Sequence, residues 1–238
     1  MATFVLVHGA WHGGWCWKKV APLLRAAGHD VVAPTLTGLA DRSHLLNRET
    51  GLDTHIEDIV GLLSYEDLTG ALLVGHSYGG LVITGVAGRA PERIAHLVYL
   101  DAAVPEPGQS LFDVVFPDRR VAFNEQAKRK GEGWKIPPPA GPTLFGVSDE
   151  LDLAWIRPKL TPQPLKSFQQ PVPPAQQLDP RIARTYISCT VDQSQSLAAV
   201  AARIRAEWGW RYRELPTGHD AMVTMPEELA GLLLEAVS

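Results

Sequence analysis

The stretch Ala71-Leu72-Leu73-Val74-Gly75-His76-Ser77-Tyr78-Gly79-Gly80-Leu81, running on through Ala87, decides the fold. Ala71–Val74 is a short, continuous apolar run bounded by a glycine, as a buried strand requires. Leu81–Ala87 continues as a helix. Between them, Gly75-His76-Ser77-Tyr78-Gly79 has the form G-x-S-x-G, and in a strand–turn–helix context the serine must occupy a sharp, strained turn. Gly75 and Gly79 leave room for strand and helix to close on each other. The helix N-terminus adds positive potential beside the hydroxyl, where a developing oxyanion would need it. Ser77 is therefore a candidate nucleophile.

Outward from this turn, apolar runs and helical patterns alternate. Strands are expected at Thr3–Val7, Asp30–Ala33, Ile94–Leu100, Thr185–Cys189 and Trp210–Leu215. Helices are expected at Trp17–Ala27, Asp53–Leu63, Leu197–Glu207 and from Pro226 to Val237. Strand–helix alternation with uniformly apolar strands implies an α/β fold, a mainly parallel sheet with helices on both faces. Ligands of such sheets bind beyond the carboxyl ends of the strands. The pattern breaks over 104–180, which holds 14 of the 19 prolines. Proline removes backbone donors, so this stretch is not expected to extend the sheet. It also carries Phe112, Phe116, Trp134, Phe145, Trp155 and Phe168, more large apolar groups than a polar linker would hold. The expected organisation is a core of 1–103 and 181–238 with an inserted cap, 104–180, over the ligand end.

The 238 residues are 45% hydrophobic and 20% charged, an ordinary globular composition. A net charge of −4, without a basic stripe, argues against a nucleic-acid partner. No run reaches the length of a membrane span. The N-terminus lacks the pattern of a signal peptide, so a cytoplasmic protein is expected, as a monomer or homodimer. Two cysteines, Cys16 and Cys189, supply neither a disulfide framework nor a cysteine-rich zinc site. Phosphate-cradling glycine patterns are absent, so nucleotide binding is not expected.

A serine nucleophile needs a base within reach, and an acid to orient that base. Among eight histidines, His219 in Pro216-Thr217-Gly218-His219-Asp220 follows the last strand and precedes the last helix, at the ligand end. His29 and His96 begin strands, at the wrong end. His44 and His55 precede the nucleophile. His76 adjoins Ser77 and is expected to point away. His8 and His12 flank the first loop and are expected to be structural. For the acid, Asp192 follows the strand ending at Cys189 and is preferred; Asp101, at the end of Ile94–Leu100, is the rival. The two oxyanion donors are expected to be the N–H groups of Tyr78 and of Ala10, in the loop His8-Gly9-Ala10-Trp11. Gly9, Trp11, Leu81 and Trp155 are candidate pocket walls. No metal or organic cofactor is required.

With these residues in place the chain resembles the α/β-hydrolases, in the branch that holds plant methylesterases, hydroxynitrile lyases and bacterial carboxylesterases, including pyrethroid-hydrolysing ones. The resemblance rests on Val5–Trp15, Gly75–Gly80, Tyr186–Cys189 leading to Asp192, and Gly218–Met222. It implies an α/β-hydrolase fold and hydrolysis of small carboxylic esters through an acyl-enzyme, and the apolar side chains of the cap point to a hydrophobic substrate. Hydroxynitrile lyases of the branch carry lysine where Asp220 stands and threonine where Gly9 stands, so the pattern is closer to the esterases. Ser77 argues against the aspartate-nucleophile dehalogenases and epoxide hydrolases. Other readings on this fold are a small-ligand receptor with little turnover, acyl transfer, and a cofactor-free oxygenase.

Overall fold

A computed structural model describes residues 1–173 and 179–237. The chain opens with β1 (Thr3–Val7), α1 (Ala21–Ala26), β2 (Asp30–Val32) and α2 (Leu52–Tyr65). It continues through β3 (Ala71–His76), α3 (Gly79–Arg89) and β4 (Ile94–Leu100). After 104–180 come β7 (Ala183–Cys189), α8 (Gln195–Ala206), β8 (Arg211–Leu215), α9 (Ala221–Thr224) and α10 (Pro226–Glu235). These strands form one six-stranded sheet in the order β2-β1-β3-β4-β7-β8, every pairing parallel. The helix expected over Trp17–Ala27 is instead a 3₁₀ turn, Gly14–Lys18, followed by α1. Pro22 belongs in a first helical turn, where its missing N–H has no partner to lose, and so the α-helix begins beside it.

Alternation along the strands sorts side chains to two faces. Val5, Val7, Leu73, Leu97, Tyr99 and Tyr186 pack with α2, α3 and α8. Phe4, Leu6, Leu72, Val74, Val98 and Ile187 pack with α1 and α10. Covering both faces explains why the central strands read as unbroken apolar runs. At the edge, β8 (Arg-Tyr-Arg-Glu-Leu) keeps three of its five side chains exposed.

Among the described residues, the 104–180 stretch adds no strand to this sheet. It forms α4 (Leu111–Val114), α5 (Arg120–Lys130), α6 (Glu150–Ile156) and α7 (Leu165–Gln169). A two-stranded antiparallel ribbon joins β5 (Lys135–Ile136) to β6 (Gln163–Pro164). Its apolar side chains do not close a core of their own. Phe112, Phe123, Ile136 and Phe168 join the cluster of Trp11 and Tyr78, while Leu144, Val147, Leu153 and Ile156 join the opposite one. Phe168 is fully buried, with its ring 5.6 Å from Trp11, 5.7 Å from Phe123, 5.8 Å from Phe112 and 6.1 Å from Tyr78. Among the described residues no helix is long and apolar enough to cross a membrane.

Because Phe168 fills the junction between the inserted helices and the sheet, Phe168→Ala should cost about 3–5 kcal/mol. Urea unfolding checks this. A loss well under 1 kcal/mol would mean that the junction collapses around the missing ring.

Candidate active site

The end of β3 and the start of α3 are pressed together at Ser77. A Cβ on Gly75 would stand 2.6 Å from the Gly79 carbonyl oxygen, and one on Gly79 would stand 2.8 Å from that of Val7. The turn between them puts Ser77 at φ 53°, a left-handed conformation costly for a residue with a side chain. Hydrogen bonds hold it there. Ser77 N–H donates to the Leu100 carbonyl at 3.1 Å, and the Ser77 carbonyl accepts from Gly80 and Ala103 N–H, each at 3.1 Å.

Ser77 and His219 line the same cavity, of about 500 Å³, at the carboxyl end of the sheet. Its walls include Trp11, Val115, Phe116, Phe123, Phe145 and Leu197. Ala10 and Trp11 border it. Leu81 lies instead in the core against the sheet, because α3 turns that face inward. Trp155 packs edge-on against Trp15, with ring centroids 5.3 Å apart, and is not among the cavity-lining residues. Gly9 does not line the cavity either. It sits behind it, where a Cβ would meet His76 Nδ1 at 2.8 Å.

The acid differs from expectation. His219 Nδ1 donates to Asp101 Oδ2 at 2.6 Å; Asp192, the preferred candidate, does not hold the imidazole. Asp101 is 1% exposed and its other oxygen accepts from Gln193 Nε2 at 2.7 Å and from Cys189 N–H at 3.3 Å. Asp192, at φ 52°, is exposed at the cavity's edge. After β7 the loop aims Gln193 inward and Asp192 outward, so the neighbouring amide, not the carboxylate, reaches the buried acid.

Burial alone would push the His219 imidazole down. Its hydrogen bond to Asp101, the Asp101 charge and the nearby Asp220 charge overcome that and leave it above the ordinary histidine value. Stability from this pair is full below the unfolded-state value and is lost as pH rises through the higher folded one.

The loop after β1 presents a free donor. Neither Ala10 N–H nor Tyr78 N–H donates to an acceptor among the described residues. His8 accepts from Leu36 N–H at Nε2 (3.1 Å), so its Nδ1 carries the proton and donates to the Gly9 carbonyl at 2.8 Å. Burial brings His8 down to about 3, keeping it neutral. Tyr78 is anchored through its hydroxyl, which donates to His55 Nδ1 at 2.8 Å, while His55 Nε2 donates to the Thr37 carbonyl at 2.9 Å.

His76, expected to point away from the site, braces it. Its Nε2 donates to the His219 carbonyl at 3.0 Å, and the two rings lie 4.6 Å apart. Burial, with the like charges of His219 and His12, lowers it well below the ordinary value. Burial pushes the Cys16 and Cys189 thiols up, so neither is primed as a nucleophile.

The model of the alpha/beta hydrolase family matches residues 4–232. This chain belongs to that family. It is 43% identical to the carbendazim hydrolyzing esterase of Nocardioides sp., over 97% of each chain. Methylesterase 1 of Arabidopsis thaliana is 39% identical over 45% of this chain and 41% of its own length. Among solved structures, an extracellular alpha/beta-hydrolase from a Paenibacillus species superposes with a TM-score of 0.80 at 24% identity, covering 99% of both chains. That likeness bears on the fold.

Proton titration of His219 by NMR tests the acid. The midpoint should lie above the ordinary ~6.5 of histidine. It should fall in Asp101→Asn and stay in place in Asp192→Asn; the reverse pattern would restore Asp192 as the partner.

Proposed function

We propose that the protein is a serine esterase in which Ser77 is the nucleophile, His219 the general base and then acid, and Asp101 the residue that orients His219. The observation that carries this reading is the 2.6 Å bond from His219 Nδ1 to a buried carboxylate, on a cavity His219 shares with a left-handed serine. The protein is an ester-cleaving hydrolase, as its relatives over the full chain are.

In the first half-reaction His219 Nε2 takes the Ser77 proton as Oγ attacks the ester carbonyl. Asp101 holds the proton on Nδ1, so the free nitrogen faces the serine, and its charge stabilises the imidazolium as it forms. The N–H groups of Ala10 and Tyr78 receive the oxyanion, being unengaged before substrate arrives. The imidazolium then protonates the leaving alcohol, and the acyl group stays on Ser77. Water enters, gives its proton to His219 and attacks the acyl carbon. Ser77 regains its proton as the acid departs. Nothing in this sequence needs a metal or organic cofactor.

The cavity walls suit a small ester with an apolar body. Residues 104–180 supply Val115, Phe116, Phe123 and Phe145 to those walls, which supports their role as a cap over the site. Carbendazim, for which the 43% identical relative is named, is the first specialised substrate to try.

Hydrolysis of short- and medium-chain p-nitrophenyl esters tests the mechanism. Ser77→Ala should lower kcat by about a million-fold and Asp101→Asn by about ten-thousand-fold. Asp192→Asn should stay close to wild type. Equal activity of wild type and Ser77→Ala would discard the mechanism. A dead Asp192→Asn beside an active Asp101→Asn would reassign the acid. The neutral form of His219 is the base, so kcat/KM should rise with pH through a midpoint above ~6.5. An acid limb well below that value would contradict the Asp101 pairing.

A further inference from the structure

We propose that His12 and Asp220 form a positioning pair that aims the Ala10 N–H at the oxyanion and ties its loop to the segment carrying His219. The inference rests on the serine esterase reading and deepens it. Both side chains are buried, at 1% and 0% exposure. His12 Nδ1 lies 2.7 Å from the Ala10 carbonyl, which only accepts, so that nitrogen carries a proton and donates it. His12 Nε2 lies 3.1 Å from Asp220 Oδ2. A second proton must lie along that line for the contact to be a hydrogen bond. One imidazole therefore bridges the loop after β1 to the residue that follows His219.

What this bridge constrains is specific. Two consecutive peptide groups flank Ala10. The first contains the Gly9 carbonyl, gripped by His8 Nδ1 at 2.8 Å, and the Ala10 N–H. The second contains the Ala10 carbonyl, gripped by His12, and the Trp11 N–H, which donates to Gln163 Oε1 at 2.9 Å. Three of these four polar groups are held by buried side chains, and the Ala10 N–H alone points free. Trp11 stands at φ 64°, so the backbone just past the second peptide is itself in the strained left-handed region. Without the His12 bond, the Ala10 carbonyl has no partner among the described residues and the plane can turn toward relaxed geometry.

Asp220 is equally fixed. Its N–H donates to the Phe145 carbonyl at 2.9 Å, and its own carbonyl accepts from Val223 N–H at 2.9 Å at the start of α9. His219 is thus followed by an anchored residue whose side chain reaches the oxyanion loop. The serine's acceptor and its oxyanion donor are held in one frame, and an orientation error of about an ångström is the scale that costs about a hundred-fold in rate.

The test uses Asp220→Asn and His12→Gln, singly and together, on a p-nitrophenyl ester, with a trifluoromethyl ketone as a tetrahedral analogue. Each single variant should lose about 10- to 100-fold in kcat with KM little changed, and the ketone should bind more weakly by a similar factor. The double variant should be no worse than the poorer single one, because both break one bridge. Unchanged kcat in a folded Asp220→Asn would overturn the inference. So would a loss of kcat without weaker ketone binding, which marks general destabilisation. If neither variant folds, the wild type still decides: a slowly exchanging proton should be found between His12 Nε2 and Asp220, and its absence would overturn the bridge. Inactivity of Ser77→Ala beside full activity of Asp220→Asn discards this inference alone, whereas an active Ser77→Ala discards the esterase mechanism beneath it.

Discussion

The left-handed turn at Ser77 is the constraint on which the rest of the site depends. A side-chain-bearing residue at φ 53° is held only where its surroundings over-determine it. Here they do so through three backbone bonds, from Leu100, Gly80 and Ala103, and through glycines that let β3, α3 and β1 approach within van der Waals contact. The same packing opens a cavity at the carboxyl ends of the strands. It also places the end of β4 beside the end of β3, so Asp101 comes up next to the serine's own turn.

Around that turn, buried polar groups converge in a sheet otherwise built from apolar side chains. Asp101 is satisfied by His219, Gln193 and the Cys189 N–H; Asp220 faces His12; His8 and His55 brace the loop after β1 and Tyr78. A low-dielectric setting makes each such contact strong and each unmet group costly, and so these groups lock their backbones into single arrangements. The inserted segment takes part in the locking. Gln163 and Ile136 of the ribbon accept from the Trp11 N–H and indole, and Phe145 accepts from Asp220. Its aromatic side chains complete the core of the sheet, so it is joined to the carboxyl end of the strands by packing as well as by hydrogen bonds.

Much of this was legible in the linear order of residues. Strand and helix alternate with distinct periods, and an apolar run, a G-x-S-x-G turn and a helix specify their own local geometry, so β3, the elbow and α3 could be read without knowing their neighbours. Boundaries were softer: α1 starts at Ala21 because Pro22 must sit in a first turn, a local rule that outweighs the longer apolar pattern. The position of His219, between a last strand and a last helix, was likewise a matter of chain order.

The acid was not. Asp101 and Asp192 both follow strands, and chain order cannot tell which carboxylate turns inward. That choice is made by adjacency of β4 to both β3 and β7, and by a loop that sends Gln193 in and Asp192 out. The contacts of His12, His76 and Asp220 were equally hidden, because each is made with a partner distant along the chain: Asp220 lies 208 residues from His12 and His219 lies 143 from His76. Local residue pattern determined the elements and the turn at Ser77. Only long-range packing decided which side chains were desolvated together, and with that which of them hold His219 and the loop after β1.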